Sequence, residues 1–524
     1  MDSPRLNLLD EALIRIRDLD GRLQRLSLPE LFIALAADAV RDYSALRPHQ
    51  RHPWHALLVQ LAALALHEAG ETKPWTNAGD WRTALLALTP KHPDGCAFSL
   101  IAPHDKPAFL QASVPGGKVD GWKDIQTPDA LDMLVTSKNH DLKGERMRHA
   151  EADDWLFALV SLQTQEGFLG AGNYGISRMN GGFSSRPAFG VSPPGGVGIR
   201  WKRDVAALLA ARNSLVEDYG LSADGGIALL WLPAWDGTKS LAFVALDPFY
   251  LEICRRIRLT TNTNGQIIAN GTGTKTARID AAARKGLTGD AWIPVEEDKA
   301  LTLSADGFNY SLAAELAWGT KYRKTLTQAL RPEDGHSGIA LLAQGVVRGQ
   351  GKTEGYHERR IPLSKKVVGF LRSGQADKLA VIAESRVKAI ATMRGSILRT
   401  SLFYLLEAGT EKIDFDRRTA KQQVEPFVRS FEQAEDARFF DDLNREIEAD
   451  DANTERLEWL VGLAARAEEV LRSAFSIGPQ CGERRYRARS RALSYFHGAL
   501  RSDKNFPALA QHLRSHSAAE EAVS

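Results

Sequence analysis

The stretch Gly167–Arg203, GFLGAGNYGISRMNGGFSSRPAFGVSPPGGVGIRWKR, differs in composition from the rest of the chain. It contains no Asp or Glu, although charged residues make up 25% of the protein. Glycines and aromatic residues are interspersed with its cations, which are Arg178, Arg186, Arg200, Lys202 and Arg203. Basic side chains attract phosphate, and glycine allows a backbone N–H to approach a ligand closely. The stretch therefore predicts a loop that lies against nucleic acid.

The bulk composition limits how such a contact could be made. A chain of 524 residues is too long for one hydrophobic core, so we expect more than one domain. Its 67 basic and 65 acidic residues give a net charge of +2, so any nucleic-acid contact must be local. Cys96, Cys254 and Cys481 are far apart and form no CxxC pair. This predicts no disulfide framework and no cysteine metal site, as is typical of a cytoplasmic protein.

Targeting segments and cofactors are not indicated either. The N-terminus lacks the pattern of a signal peptide, and the most apolar run, Ala56–Leu66, is too short to cross a bilayer. His49, His52 and His55 lie three residues apart, but Pro53 should break their alignment and no carboxylate is near in sequence. We therefore predict a solvated helix entry there, and neither a metal nor a cofactor for the protein.

Two glycine motifs resemble nucleotide-binding loops. GAGNYG at Gly170–Gly175 fits GxGxxG, which requires a preceding strand and a following helix, yet the residues before it, 151–165, predict a helix. GQGKT at 349–353 resembles the end of a Walker loop, but Val346 stands where the first glycine is needed. A nucleotide-dependent enzyme that uses a glycine-rich loop stays an alternative, although neither motif has the required context.

Two further regions lack acidic residues. Ile253–Ile279 carries Arg255, Arg256, Arg258, Lys275 and Arg278 on strand-like runs separated by Asn-Gly pairs, which predicts antiparallel strands. The two apolar runs before it, on either side of Asp236-Gly237, predict a hairpin.

The third such region is Gly335–Thr353, where a strand is predicted over Ile339–Val347. The polar turn RGQGKT that follows would project Arg348, Gln350 and Lys352. Glutamine can form paired hydrogen bonds to a base edge, and lysine can contact phosphate.

Composition changes again near residue 363, where a helical apolar period begins and glycine becomes rarer. Helices are predicted at 376–408, 415–434, 436–449, 453–475 and 483–501. The predicted fold is therefore α+β, with a large mixed domain containing antiparallel sheet elements at 1–362 and an antiparallel helical bundle at 363–524.

Arginines on the last predicted helix leave two interpretations open. Arg484, Arg487 and Arg491 share one face. They either pair with acidic residues of the same bundle, such as Glu446, Glu448 and Asp450, or contact phosphate or another subunit.

The order of these features resembles the CasA family, the large subunit of the type I-E CRISPR Cascade complex. The residues that carry the resemblance are NLLDEALIRI and SLPELF near the start, PAFLQ at Pro107–Gln111, the glycine loop, the basic strands, RGQGKTEGYHERRIPL, and the closing bundle. The resemblance covers most of the chain in order and length.

The resemblance implies a subunit without catalytic activity that joins crRNA-containing Cascade subunits. It would recognise the protospacer-adjacent motif of double-stranded DNA from the minor groove, wedge the duplex open to start R-loop formation, and help recruit a helicase–nuclease. A stand-alone basic scaffold protein is the remaining alternative, and its duplex binding would not depend on a motif.

The resemblance also assigns expected roles to individual residues. The motif-binding residues would be Gly170, Ala171, Gly172 and Lys275, and the wedge would be Gly349, Gln350 and Gly351. A loop with Lys138, Asn139 and His140 would contact the guide RNA or a neighbouring subunit. Contacts to the DNA backbone or a partner would come from Arg348, Lys352, Arg484, Arg487 and Arg491.

Overall fold

The structure is a computed structural model that describes residues 5–132, 147–182, 185–349, 352–407 and 413–523. The chain divides into two compact units. The first contains Met1–Phe308 and Thr320–Ile361, and the second contains Asn309–Gly319 and Pro362–Ser524.

The core of the first unit is built around one buried helix, α2 (Arg51–Glu68). Its side chains from Ala56 to Leu66 are all buried, because they are apolar around the whole circumference of the helix apart from Gln60. Trp201 donates its indole N–H to the Leu58 carbonyl at 3.2 Å, which ties α6 (Val197–Tyr219) to α2. The helices of this unit are α1 (Leu28–Ala36), α2 (Arg51–Glu68), α3 (Ala78–Ala87), α4 (Pro128–Leu131), α5 (Ala152–Gln165) and α6 (Val197–Tyr219).

Small sheets of two or three strands surround these helices. The strands are β1 (Arg5–Asn7), β2 (Ile14–Asp18), β3 (Leu23–Leu26), β4 (Val40–Asp42), β5 (Ser99–Ile101), β6 (Lys123–Ile125), β7 (Ala188–Ser192), β8 (Ile227–Leu229), β9 (Leu241–Ala242), β10 (Leu246–Leu251), β11 (Arg256–Thr261), β12 (Ile267–Thr272), β13 (Ile279–Asp280), β14 (Ala340–Gly349) and β15 (Lys352–Pro362). The antiparallel sheets have the strand orders β1-β5, β3-β2-β4 and β11-β12-β6, while β7 pairs antiparallel to β14, which neighbours β15.

The hairpin predicted across Asp236-Gly237 is wrong. Strand β8 instead pairs parallel to β10, and β9 pairs parallel to β13. The Asp236 carboxylate accepts hydrogen bonds from the N–H and hydroxyl of Thr238, so it closes a local turn without setting a strand register.

The antiparallel pairing of β11 with β12 is confirmed, and Asn264-Gly265 lies in the connection between them. The second Asn-Gly pair is inside β12, where the Asn270 amide donates to Asp124 of β6 at 2.6 Å. A side-chain partner on the neighbouring strand thus outweighs the turn preference of that pair.

The prediction of a solvated entry to α2 is also wrong. His49 lies 2.7 Å from Asp132 and His55 lies 2.8 Å from Asp204, both through Nε2. His52 is buried against Trp292, with ring centroids 5.5 Å apart. Pro53 is tolerated in the first turn, where helix N–H groups have no intrahelical acceptor.

We expect His52 and His55 to make the fold sensitive to mild acid. Burial, together with the charges of Arg186 and Arg200, lowers the pKa of His52 well below its ordinary value of 6.5, and burial also lowers the pKa of His55. As the pH falls below 6.5 the unfolded chain binds protons that the folded chain does not, so stability falls with pH.

The predicted loss is about 1.4 kcal/mol per pH unit for each histidine in the window between its folded and unfolded pKa. His52→Phe keeps a ring against Trp292 and removes one proton site, so the dependence should become shallower. Urea unfolding of the parent and of His52→Phe between about pH 7.5 and pH 5.5 measures how the free energy of unfolding depends on pH. The same dependence in both proteins would contradict the role given to His52.

The regular elements of the second unit, within its described residues, are helices, apart from Pro362 at the end of β15. The predicted long helix at 376–408 is α9 followed by a π-helical turn, Met393–Arg399, and α10. Two predicted helices at 415–434 and 436–449 form the single helix α11, which continues through Pro426. The helices are α7 (Tyr310–Trp318), α8 (Lys365–Arg372), α9 (Ala376–Thr392), α10 (Thr400–Leu406), α11 (Arg418–Glu448), α12 (Ala452–Ser473), α13 (Gly482–Leu500) and α14 (Pro507–Val523).

The predicted α+β fold class is therefore confirmed, with small sheets in the first unit and helices in the second. Within the described ranges, no helix combines the length and the apolar character that crossing a bilayer requires.

Candidate nucleic-acid interface

The glycine loop that follows α5 is a tight turn. The N–H of Asn173 donates to the Gly170 carbonyl at 3.0 Å, and the N–H of Leu169 donates to the Asn173 carbonyl at 2.9 Å. Gly170 and Gly172 have φ values of +109° and +86°, which strongly favour glycine. A helix precedes this turn and no helix begins within its described residues up to Gly182, so it lacks the context of a dinucleotide-binding loop.

Gly172 lies directly against the segment that leads to Lys275. Its carbonyl accepts the N–H of Thr274 at 2.9 Å, and a Cβ added at Gly172 would lie 3.7 Å from the Cα of Gly273. Lys275 is anchored by its own N–H, which donates to the Gly237 carbonyl at 2.7 Å. The structure thus brings together two of the predicted site elements, which belong to different acid-free regions.

A groove with a volume of about 510 Å³ runs beside this contact. The Phe168 and Tyr174 rings of the loop, with centroids 5.9 Å apart, line it together with Lys275. Lys275 is exposed, and no acidic side chain in the described part of the chain forms an ion pair with it. Ser240 and Asp280 also line the groove; sequence analysis missed both, because neither belongs to a charge or glycine pattern.

The arginines of the opening stretch do not form an exposed phosphate-binding loop, so that part of the prediction is wrong. Arg178 pairs with Asp290 at 3.1 Å, and Arg186 pairs with the same carboxylate. Arg203 pairs with Asp334 at 2.6 Å. Burial alone would raise the pKa of Asp290, but Arg186 and Arg178 lower it below its ordinary value. Carboxylates distant in sequence therefore neutralise a stretch that contains none.

The basic strands are likewise not an exposed cationic surface. Arg255 donates to the Gly167 carbonyl at 2.8 Å, and Arg278 donates to the Leu230 carbonyl at 2.7 Å. Arg258 is completely buried and donates to backbone carbonyls between Ala102 and Ala112, and burial lowers its pKa to about 10. These guanidinium groups hold loops in place, whereas Lys275 is exposed to solvent.

The third acid-free region joins the glycine loop through a buried ion pair. Arg348, near the end of β14, lies 2.7 Å from Glu166, which immediately precedes the loop. Their side chains are only 1% and 2% exposed. Burial raises the pKa of Glu166, while Arg348 and Arg255 act to lower it. The prediction that Arg348 projects from the strand is therefore wrong.

The predicted wedge lies partly outside the described residues. Gly349 ends β14 and Lys352 begins β15, its neighbour in the sheet, while Gln350 and Gly351 are not described. Because a strand follows Lys352, a Walker loop, which needs a helix there, is not formed. Lys138, Asn139 and His140 also lie outside the described residues.

The arginines of α13 are on its exposed side. Arg484, Arg487 and Arg491 are exposed, and Arg487 pairs with Glu483 one turn earlier at 2.7 Å. Two of the acidic partners suggested from the sequence are engaged elsewhere: Glu446 pairs with Arg386 at 2.5 Å, and Glu448 accepts the N–H of Lys366.

The chain is similar to known proteins in its three-dimensional structure. No model of a known protein family matches the chain, and no curated protein matches it. The crystal structure of CRISPR-associated protein Cse1 from Acidimicrobium ferrooxidans matches with a TM-score of 0.63 and 16% identity, over 96% of this chain and 98% of that one. The chain has the Cse1/CasA fold.

Other structures with the Cse1/CasA fold agree. Thermus thermophilus CasA (Cse1) gives a TM-score of 0.61 at 16% identity, over 94% of this chain and 98% of that chain. A chain of a CRISPR RNA-guided surveillance complex gives a TM-score of 0.58 at 12% identity, over 94% of this chain and 100% of that chain. The resemblance to the CasA family is confirmed for the fold, which extends over nearly the whole length of each chain.

Proposed function

We propose that the protein is a non-catalytic large subunit of a crRNA-containing Cascade complex and recognises the protospacer-adjacent motif in double-stranded DNA. The contact between Gly172 and the segment that carries Lys275 is the observation on which this proposal rests. The Cse1/CasA fold, also present in a CRISPR RNA-guided surveillance complex, supports it.

The glycine loop and Lys275 have the properties that reading a minor groove requires. The minor groove of DNA displays a degenerate set of hydrogen-bond acceptors. A protein must therefore recognise it through close approach of its backbone and a few hydrogen-bond donors. A Cβ added at Gly170 would meet no atom within 4 Å, so this side of the turn is open to a ligand. Lys275 offers an exposed ammonium donor beside the turn.

Gly349, Gln350 and Gly351 would form the wedge in this proposal. Their neighbour Arg348 is fixed in the core by Glu166, which gives the wedge a rigid base. Insertion between base pairs costs a few kcal/mol per step, which contacts to the separated strands and RNA–DNA pairing offset.

Partner contacts are part of the same proposal. Lys138, Asn139 and His140 would contact the guide RNA or a neighbouring subunit. The exposed side chains of Arg484, Arg487 and Arg491 would contact the DNA backbone or a partner such as the helicase–nuclease, and Lys352 would contact the DNA backbone.

The test is co-expression with a guide RNA and companion subunits, followed by binding to a library of duplexes with randomised adjacent motifs. Co-purification and enrichment of one short motif are expected. Duplex binding without motif preference would favour the stand-alone scaffold protein, and failure to co-purify would reject the Cascade assignment.

Gln350→Ala tests the wedge in the reconstituted complex. Initial duplex binding should stay within about twofold of the parent, while R-loop yield should fall at least about tenfold, because the side chain acts after binding. Permanganate footprinting of the opened strand measures the yield. Gln24→Ala, at an exposed position of β3, serves as the control, and equal yields from Gln350→Ala and the parent would reject the wedge.

A further inference from the structure

A second cavity of the first unit shares no lining residue with the groove beside the glycine loop. Its volume is about 610 Å³, within the usual range for small-molecule sites. Strands β2, β4, β14 and β15 and helices α1, α2 and α6 contribute to its walls. The proposed DNA recognition assigns no role to it.

The lining of this cavity is strongly basic. Five arginines and two carboxylates line it, leaving an excess of three positive charges. His55 also lines it, and burial lowers the pKa of this side chain, which favours the neutral ring at pH 7.

Two of the lining arginines are only weakly paired within the protein. The Arg41 Nε lies 3.7 Å from Asp42, and the Arg51 Nη1 lies 4.0 Å from Glu358. Guanidinium groups of this kind are suited to phosphate, which they can bind through paired, charge-assisted hydrogen bonds.

The deeper part of the cavity has partly exposed apolar walls. Tyr43 and Leu342 line it and are half-buried, so they supply aromatic and aliphatic surface that a ligand can contact.

We propose that this cavity binds a nucleoside monophosphate group. The base would pack against Tyr43 and Leu342. The phosphate would lie at Arg41 and Arg51. A flat ring linked to a dianionic group matches the apolar walls and the basic lining together. The group can come from a free nucleotide or from the 5′ end of a strand.

Calorimetry on the full-length protein tests this with AMP, GMP, CMP and UMP as probes, and with adenosine and inorganic phosphate as partial ligands. At least one nucleotide should bind with a Kd below about 100 µM, and each partial ligand at least about tenfold more weakly. Tetranucleotides with a 5′-phosphate or a 5′-hydroxyl distinguish the two sources. Preference for the phosphorylated tetranucleotide over every mononucleotide assigns the site to a strand end, and the reverse assigns it to free nucleotide.

The double variant Arg41→Gln/Arg51→Gln should weaken that binding at least about tenfold. Both side chains are more than half exposed, so the fold should persist, as a melting curve will verify. Arg22→Gln is the control, since Arg22 is 77% exposed and does not line the cavity. The proposal is overturned if neither mononucleotides nor the 5′-phosphorylated tetranucleotide bind at about 1 mM, if phosphate alone binds as tightly, or if the double variant binds like the parent.

Discussion

Replacing Arg348 with methionine is expected to lower the free energy of unfolding of the first unit by about 3–5 kcal/mol. The variant leaves the Glu166 carboxylate buried without its 2.7 Å partner. That carboxylate already has a raised pKa because of burial, so removing Arg348 should raise the pKa further. Denaturant unfolding at neutral pH measures the loss.

A double-mutant cycle separates this pair from general damage to the core. Glu166→Gln/Arg348→Met removes both charges, so the double variant should be more stable than the sum of the two single losses predicts. Arg22→Met, at an exposed position, should change stability by no more than about 0.5 kcal/mol. Strictly additive losses for Glu166 and Arg348 would show that the pair is not coupled.

Gly172→Asp is expected to weaken motif-dependent duplex binding of the assembled complex at least about 100-fold, equivalent to about 3 kcal/mol. The substitution puts a side chain at φ +86°, which costs about 1–2 kcal/mol in backbone strain. It also adds a carboxylate beside Lys275, where the minor groove of the DNA is proposed to approach. Competition binding against duplexes with and without the preferred motif measures the motif-dependent affinity of the variant relative to the parent.

Two matched variants separate the contributions to that loss. Gly172→Asn has almost the same size and tolerates the left-handed conformation, so its smaller loss will report bulk without charge. Gly225→Asp places the same residue at φ +65° in open space and should leave motif binding intact. Unchanged affinity for Gly172→Asp would remove the glycine loop from the proposed site.

Local patterns in the sequence predicted the regular elements well where packing did not intervene. Helices α2 and α5 follow from their apolar residues, and the β11–β12 connection follows from Asn264-Gly265. These signals depend on neighbouring residues, so they can be recognised without knowing the fold. The predicted break between residues 434 and 436, by contrast, is absent, because α11 continues without interruption over 31 residues.

Charge was the property that the sequence described least well. A window without Asp or Glu predicted exposed cations, yet Asp290 and Asp334 reach Arg186 and Arg203 from far along the chain. Asp132 likewise reaches His49 across more than 80 residues. Pairing over such separations depends on topology, which composition does not contain. The meeting of Gly172 with the Lys275 segment was anticipated from the family resemblance, and the contacts of Arg348 were not.

The bonds of Arg258 restrict how the first unit can vary in length. The Arg258 guanidinium, on β11, donates to several backbone carbonyls between Ala102 and Ala112. A residue inserted between Ala102 and Ala112 would move some of these carbonyls out of reach of the planar guanidinium group. The exposed connection between β11 and β12 has no such restraint from a distant side chain among its described contacts. Engineered tags or reporter loops therefore belong in that connection and not in the segment that Arg258 binds.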